Sequence, residues 1–272
     1  MKPVVSVVMG YHNRASLLRR TLESYEHHYS DIRDQIELVI VDDGSANRDE
    51  LPALLQEFKF KFKTYRLDRP GAGSRNPCIA YNKAADMASG DLINLTNPEN
   101  IHLGPIIKDA IGLAKEGTYL VYACLSLNRS PKKYSDLPRN LSRYVDGNVI
   151  DCWYQHSVYN NRLLHFCTFI ERGEFEKIGR FDERFAGGSG YDDNDLAQTI
   201  VSRGIKINYR DEIYCAHQPH ERNWDQESTF KNLGVICEKW GFFPIEKWKV
   251  DQEQSQLEAA ALSGRKPLFL RG

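Results

Sequence analysis

Three aspartates, Asp192, Asp193 and Asp195, follow the glycine-rich run Gly187-Gly188-Ser189-Gly190-Tyr191. A carboxylate delivered by such a loop can take the proton of a bound hydroxyl lying within hydrogen-bond reach. Crowding three acids raises at least one pKa by like-charge repulsion, and the N-terminus of the helix predicted over 192–202 opposes that rise. Capping of that helix would explain one aspartate, not three after a glycine-rich loop. Three other polar clusters stand out: Gly10-Tyr11-His12-Asn13-Arg14, Asp42-Asp43-Gly44-Ser45 and Asn97-Pro98-Glu99-Asn100. Alone, Asp42–Ser45 would be a turn with a helix cap. In the company of the other two it points to a ligand site. A last polar group, Tyr214-Cys215-Ala216-His217-Gln218-Pro219-His220, offers two imidazoles.

The elements around these clusters explain how they could meet. Residues 4–9 form a short β-branched apolar run, and 36–41 form a second, as expected of strands buried on both faces. Apolar residues at helical spacing follow each: Leu17, Leu18, Leu22 and Tyr25, with Asn13 or Ala15-Ser16 as the cap, then Leu51, Leu54, Leu55 and Phe58 in a helix over 49–60. Further strands are predicted at 62–67, 92–95, 119–127, 165–171 and 205–214, and further helices at 77–88, 105–115, 173–178 and 192–202. Alternating strands and helices indicate βαβ units and a mostly parallel sheet. In open sheets of this kind ligands sit beyond the carboxyl ends of the strands, where three of the polar clusters fall.

Bulk properties narrow the function classes. With 272 residues, 41% hydrophobic and 27% charged, the chain can bury a core without staples. A formal net charge of −1 gives no electrostatic case for nucleic acid or an anionic membrane as the main partner. The six cysteines are scattered without a C-x-x-C pair and read as reduced core residues. Met1-Lys2-Pro3 leads straight into a strand, without signal-peptide character, and no apolar stretch reaches the roughly 18–20 residues a bilayer span needs. The expectation is a cytoplasmic protein without a transmembrane segment, peripheral membrane contact being left open. Its oligomeric state is not legible.

Val5-Ser6-Val7-Val8-Met9 with Asn13-Arg14, then Val39-Ile40-Val41-Asp42-Asp43-Gly44-Ser45, resemble the opening of the family 2 inverting glycosyltransferases of GT-A type. Ser74-Arg75-Asn76, with Ala84, Ala88 and Gly90-Asp91-Leu92-Ile93, resembles their next block. The resemblance covers about residues 4–220, and the order of the blocks is more specific than any one of them. It implies an α/β fold of GT-A type: an open, mostly parallel twisted sheet flanked by helices. Residues 1–220 would form one domain, with a nucleotide-sugar half over 1–103 and an acceptor half over 104–220. Residues 221–272 would be a helical extension. The implied donor is a UDP-sugar held by Gly10, Tyr11, His12, Arg14, Asp43, Ser45, Arg75 and Asn97. Gly10, His12 and Asp43 would surround the uracil, whose N–H a carboxylate can accept. Arg75 would lie near the nucleotide, where a guanidinium offers a planar donor fork to phosphate.

The family's metal motif, Asp-x-Asp after the fourth strand, is here Asn97-Pro98-Glu99. Glu99 keeps an oxygen ligand for Mn²⁺ or Mg²⁺, whereas Asn97 brings no charge. Phe181-Asp182-Glu183-Arg184-Phe185 and the glycine-rich acidic run resemble the segment found in galactosyl- and N-acetylgalactosaminyltransferase relatives. That likeness implies Asp193 as catalytic base, Asp192 as holder of acceptor hydroxyls and His217 as a second metal ligand, with His220 in reserve. Trp153, Gly190 and Tyr191 would meet the acceptor, a saccharide, lipid-linked glycan or protein, and Tyr154, His156 and Trp224 could stack on sugar rings. An inert nucleotide-binding scaffold is the alternative. Asn97-Pro98-Glu99 favours it, while Asp192-Asp193 and His217 argue against it. A nucleotidyltransferase would want a Gly-rich, Lys-containing loop after the first strand, which 10–17 lack.

Overall fold

The computed structural model describes residues 4–68, 76–137, 150–221 and 226–241. Strands β1 (Val5–Tyr11) and β2 (Ile36–Asp42) pair in parallel and are buried on both faces. Their period-2 alternation divides two cores. Val5, Val7, Met9, Ile36, Leu38 and Ile40 face one, packed under Leu18, Leu22, Tyr25 and Tyr29 of α1 (Ala15–Tyr29). Val8, Val39 and Val41 face the other, with Ala80, Tyr81 and Ala84 of α3 (Cys78–Met87). Each aliphatic side chain removed from water in this way contributes about 1.5–3 kcal/mol.

Between β2 and α3 lie α2 (Glu50–Leu55) and β3 (Lys61–Arg66). The rest comprises β4 (Leu92–Thr96), β5 (Asn100–His102), α4 (Ile106–Leu113), β6 (Thr118–Leu127), β7 (Ile150–Gln155), β8 (Cys167–Glu171), α5 (Arg172–Lys177), α6 (Asp192–Ser202), β9 (Lys206–His217) and α7 (Gln226–Trp240). The sheet runs β3-β2-β1-β4-β8-β6-β9-β5, with β7 paired to β6. Strands β3, β2, β1 and β4 are mutually parallel, as are β6 and β9. Strand β8 runs antiparallel between β4 and β6, an antiparallel insertion in an open sheet whose longest pairings are parallel.

Three local details depart from the sequence pattern. Helix α2 stops at Leu55, because Glu57 and Phe58 turn onto the carbonyls of Leu54 and Leu55, a tighter i→i−3 pattern. Asn13 does not cap α1; it takes a positive φ of 51°, and the N-cap position is Arg14. Strands β5 and β7 were not expected, β5 being too short for periodicity to show. No helix among the described residues is long and apolar enough to cross a membrane.

Candidate active site

The carboxyl ends of β1 and β2 are tied to each other. Asp43 N–H donates to the Tyr11 carbonyl at 2.7 Å, Asn13 N–H to Ser45 Oγ at 2.9 Å and Ala46 N–H to Asn13 Oδ1 at 2.8 Å. Asp42 is used within its own loop, accepting from Ser45 N–H, Ser45 Oγ and Arg66. The Ser45 hydroxyl is thus committed to the loop, and the Tyr11 ring, 1% exposed, packs in the core. His12 and Asp43 remain at the rim, with His12 Nδ1 3.0 Å from the Asp43 carbonyl. Gly10 lets α3 approach: a Cβ there would lie 3.2 Å from the Ala80 Cβ and 3.3 Å from the Pro77 Cβ. Arg75 and Trp224 lie outside the described residues.

Beyond β4, Glu99 is drawn to the end of β9 because β5 pairs antiparallel with it, Asn100 standing opposite His217. Glu99 Oε1 lies 3.3 Å from His217 Nε2, 3.1 Å from His220 Nε2 and 3.2 Å from Arg14 Nη1. Backbone contacts fix the loop: Thr21 Oγ1 donates to the Pro98 carbonyl, and Gln218 donates to that of Glu99 from both its backbone and its side chain. Burial alone would raise the Glu99 pKa. Hydrogen bonds from His217 and His220 and the Arg14 charge outweigh it and hold the carboxyl well below its usual range. Its other oxygen, Oε2, is buried with no hydrogen-bond partner. One carboxylate with an unused oxygen and two imidazoles, their ligand atoms within 4.8 Å, suit a divalent transition metal such as Mn²⁺.

The second cluster joins His165, Asp192 and Asp193, whose side-chain atoms also lie within 4.8 Å of one another. The N-cap of α6 is Tyr191, at φ 66° and without a side-chain cap bond. None of the aspartates is therefore the cap, and a left-handed Tyr is a strained position of the kind that gathers at functional sites. Asp193 contacts the ring of His165 through Oδ1, which also accepts the His165 backbone N–H at 3.3 Å. Its side chain is 34% exposed, against 4% for His165. Asp192 is buried and accepts from Asn76 Nδ2 at 2.7 Å. Burial and then the neighbouring Asp193 charge push the Asp192 pKa up. Asp193 goes the other way: burial opposes ionisation, but the His165 charge and hydrogen bonds win.

Asp195 belongs elsewhere. It accepts from Lys239 Nζ at 2.8 Å and Trp240 Nε1 at 2.7 Å, and so anchors α7. Helix α7 also seals the glycine-rich loop. Asn232 Nδ2 donates to the carbonyls of Phe185 and Gly190, and Ser189 N–H donates to the Ser228 carbonyl. A Cβ on Gly188 would lie 2.4 Å from both Ser228 O and Asn232 Oδ1, so only glycine fits beneath the helix.

Tyr81 links the two clusters. Its hydroxyl donates to Asn97 Oδ1 at 2.5 Å, and its ring meets that of His165 edge-on at 5.0 Å. Trp153 lies apart, 6% exposed and packed on Tyr214 and His156. His165, Asn76, Tyr81 and Asn232 escaped the sequence reading. His165 precedes its strand, and in a parallel strand that end would face away from the site.

Residues 6–169 match the family model for glycosyl transferase family 2. The chain belongs to this family. Among curated relatives of this family 2 member is a validoxylamine A glucosyltransferase of Streptomyces hygroscopicus subsp. jinggangensis, 25% identical over 88% of the chain and 60% of the relative. A second, from subsp. limoneus, is 24% identical over 88% of the chain and 56% of the relative. The chain thus spans under two thirds of the length of either. In fold it is similar to the mannosyltransferase PcManGT of Pyrobaculum calidifontis, solved with GDP-Man and Mn²⁺ (TM-score 0.57, 15% identity, 97% of this chain and 73% of that one). It is also similar to GalNAc-T7, solved with UDP, GalNAc and Mn²⁺ (TM-score 0.61, 17% identity, 93% and 50%). S. aureus TarS 1–349 gives a TM-score of 0.61 at 14% identity, over 97% and 73%. The fold of this family 2 chain is accordingly GT-A type.

Proposed function

We propose that this chain is an inverting, divalent-cation-assisted glycosyltransferase. It would move a hexose or N-acetylhexosamine from a UDP-sugar to a hydroxyl of a saccharide, lipid-linked glycan or protein, as in polysaccharide assembly. The observation that carries the reading is the pairing of two unlike clusters across Tyr81. Glu99, His217 and His220 form a ligand set with a free buried oxygen, and Asp193 forms an ionised, part-exposed carboxylate. Residues 1–103 would hold the nucleotide and 104–220 the acceptor, with α7 of the 221–272 extension closing the acidic loop.

His12 and Asp43 meet the uracil at the β1–β2 edge, beside Gly10. Arg14 and Arg75 serve the diphosphate, and Asn97, held by Tyr81, faces the ribose. Mn²⁺, or Mg²⁺, held by Glu99, His217 and His220 would neutralise charge gathering on the departing UDP. Asp193 takes the proton of the acceptor hydroxyl as the hydroxyl oxygen attacks the anomeric carbon from the face opposite UDP. A single displacement of this kind inverts the configuration and needs one base, the role given to Asp193. Asp192 holds the acceptor, with Gly190 and Tyr191 beside it. The glucosyltransferase relatives and the manganese-containing fold neighbours support metal-assisted sugar transfer. A cytoplasmic location accords with six free cysteines.

A donor screen tests the reading. With Mn²⁺ present, UDP-sugars and GDP-sugars are compared by thermal shift and by release of the nucleoside diphosphate. Turnover confined to GDP-sugars would move the donor class, and none with any sugar nucleotide would overturn the function.

A further inference from the structure

The ionisation of Asp193, on which the proposed function rests, has a structural source. We infer that His165 is a positioning residue: as an imidazolium it keeps Asp193 ionised and aimed at the acceptor, next to an Asp192 that carries like charge. Asp192 and Asp193 are adjacent on the first turn of α6, and both have atoms within 4.8 Å of the His165 ring. Two carboxylates so close in a partly desolvated site cannot both ionise unless a cation compensates them. His165 reaches Asp193 twice, through its ring and through its backbone N–H at 3.3 Å. Its ring is clamped by Tyr81 at 5.0 Å and Phe181 at 4.9 Å, both edge-on, so it cannot swing away.

Two phenols also sit near the pair, Tyr81 of α3 and Tyr119 of β6. Burial raises the pKa of both, so they stay neutral and bring no charge. Asn76 donates to Asp192 but is neutral, and Lys239 serves Asp195 and Asp182. His165 supplies a compensating charge in direct contact with the pair: burial lowers its pKa, but Asp193 and Asp192 raise it to a net upward shift. His165 keeps its proton throughout. The acceptor's proton goes to Asp193 and leaves to solvent by the exposed side of that carboxylate.

The test has two readouts. In the full-length chain without ligand, NMR titration of labelled histidines is expected to show His165 titrating above the ordinary ~6.5. In Asp193→Asn that midpoint is expected to fall by about one pH unit or more, and an unmoved midpoint would overturn the proposal. In UDP-glucose turnover with Mn²⁺, His165→Gln is expected to move the acid limb of kcat upward by about one pH unit or more. At pH 9 kcat should return to within several-fold of wild type, with KM for UDP-glucose little changed. A uniform loss at every pH would mark His165 as a structural residue only. Should His165→Gln not fold, the comparison of wild type with Asp193→Asn decides. Full turnover in Asp193→Asn would refute the base assignment instead, and is read separately from the titration.

Discussion

Asn76 donates its side-chain amide to Asp192 at 2.7 Å across 116 positions of sequence, joining the start of α3 to the start of α6. The same amide donates to the Gly190 carbonyl at 3.2 Å. The nucleotide-side helix and the acidic loop are thus bolted together at the point where the proposed acceptor binds. The contact favours the charged form of Asp192, but burial and the Asp193 charge outweigh it and push the Asp192 pKa up.

Asp193→Asn keeps size and one acceptor oxygen but cannot take a proton. Transfer is expected to fall about 10²–10⁴-fold, the usual contribution of a positioned base. UDP-sugar binding should hardly change. Asp192→Asn should act through acceptor KM. Steady-state kinetics of both variants check this, and full activity in both would leave the acids without a catalytic role.

The two acids should respond oppositely in stability. Asp192 has a folded pKa raised above its unfolded value, so its charge destabilises the fold above the folded pKa, and that cost disappears below about pH 4. Asp192→Asn is expected to raise the Tm at pH 8, by a margin that shrinks as pH falls. Asp193 has a lowered pKa, so it stabilises at neutral pH and loses that contribution in acid. Asp193→Asn should lower the Tm at pH 8. Melting curves from pH 2 to 8 decide: the Asp192→Asn gain should shrink between about pH 8 and 4 and the Asp193→Asn loss below about pH 4, and curves parallel to wild type over the whole range would contradict the assignment.

Glu99→Gln, His217→Ala and His220→Ala are each expected to weaken Mn²⁺-dependent UDP binding, measured by calorimetry with and without the metal. A crystal structure with UDP and Mn²⁺ checks the ligands directly, since such bonds run about 2.0–2.6 Å. A cation more than ~3 Å from all three side chains would exclude them.

Asp43 should accept a hydrogen bond from the base, so UDP is expected to stabilise the protein by about 2.7 kcal/mol at 100-fold over Kd. Asp43→Ala should remove most of this. An equal shift with GDP or ADP would contradict a uridine site.

Asn232 tests the α7 contact. Its substitution by Ala would remove one of two donors from each of the Phe185 and Gly190 carbonyls, which keep the Gly188 N–H and the Asn76 amide, at a cost of about 0.5–1.5 kcal/mol per hydrogen bond lost. Both Tm and transfer should drop, with UDP binding kept. Loss of stability without loss of transfer would confine α7 to a structural part.

Much of this was legible in the chain. The apolar runs of β1 and β2 read as strands covered on both faces, because apolar residues occupy both alternating sets; the polar residue in each, Ser6 and Glu37, is buried and paired with the other. Helix α6 is bounded as its pattern predicts, at Asp192 and Ser202, because its first turn is acidic and its buried Leu196, Thr199 and Ile200 recur at helical spacing. Glu99 and His217 stood out through the resemblance to the family's metal motif, and the structure brings their side chains to 3.3 Å. What the sequence could not reveal was direction and distance. Ser45 and Tyr11 carry site-like types, yet Ser45 is spent on Asp42 and Asn13, and the Tyr11 ring is in the core. His165 became part of the site only because β8 runs antiparallel to β4, Cys167 opposite Thr96, which turns the start of β8 toward the end of β4. Strand direction is set by pairing partners far apart in sequence, here β4 and β6 on either side of β8, and a strand's own side-chain alternation reads the same both ways.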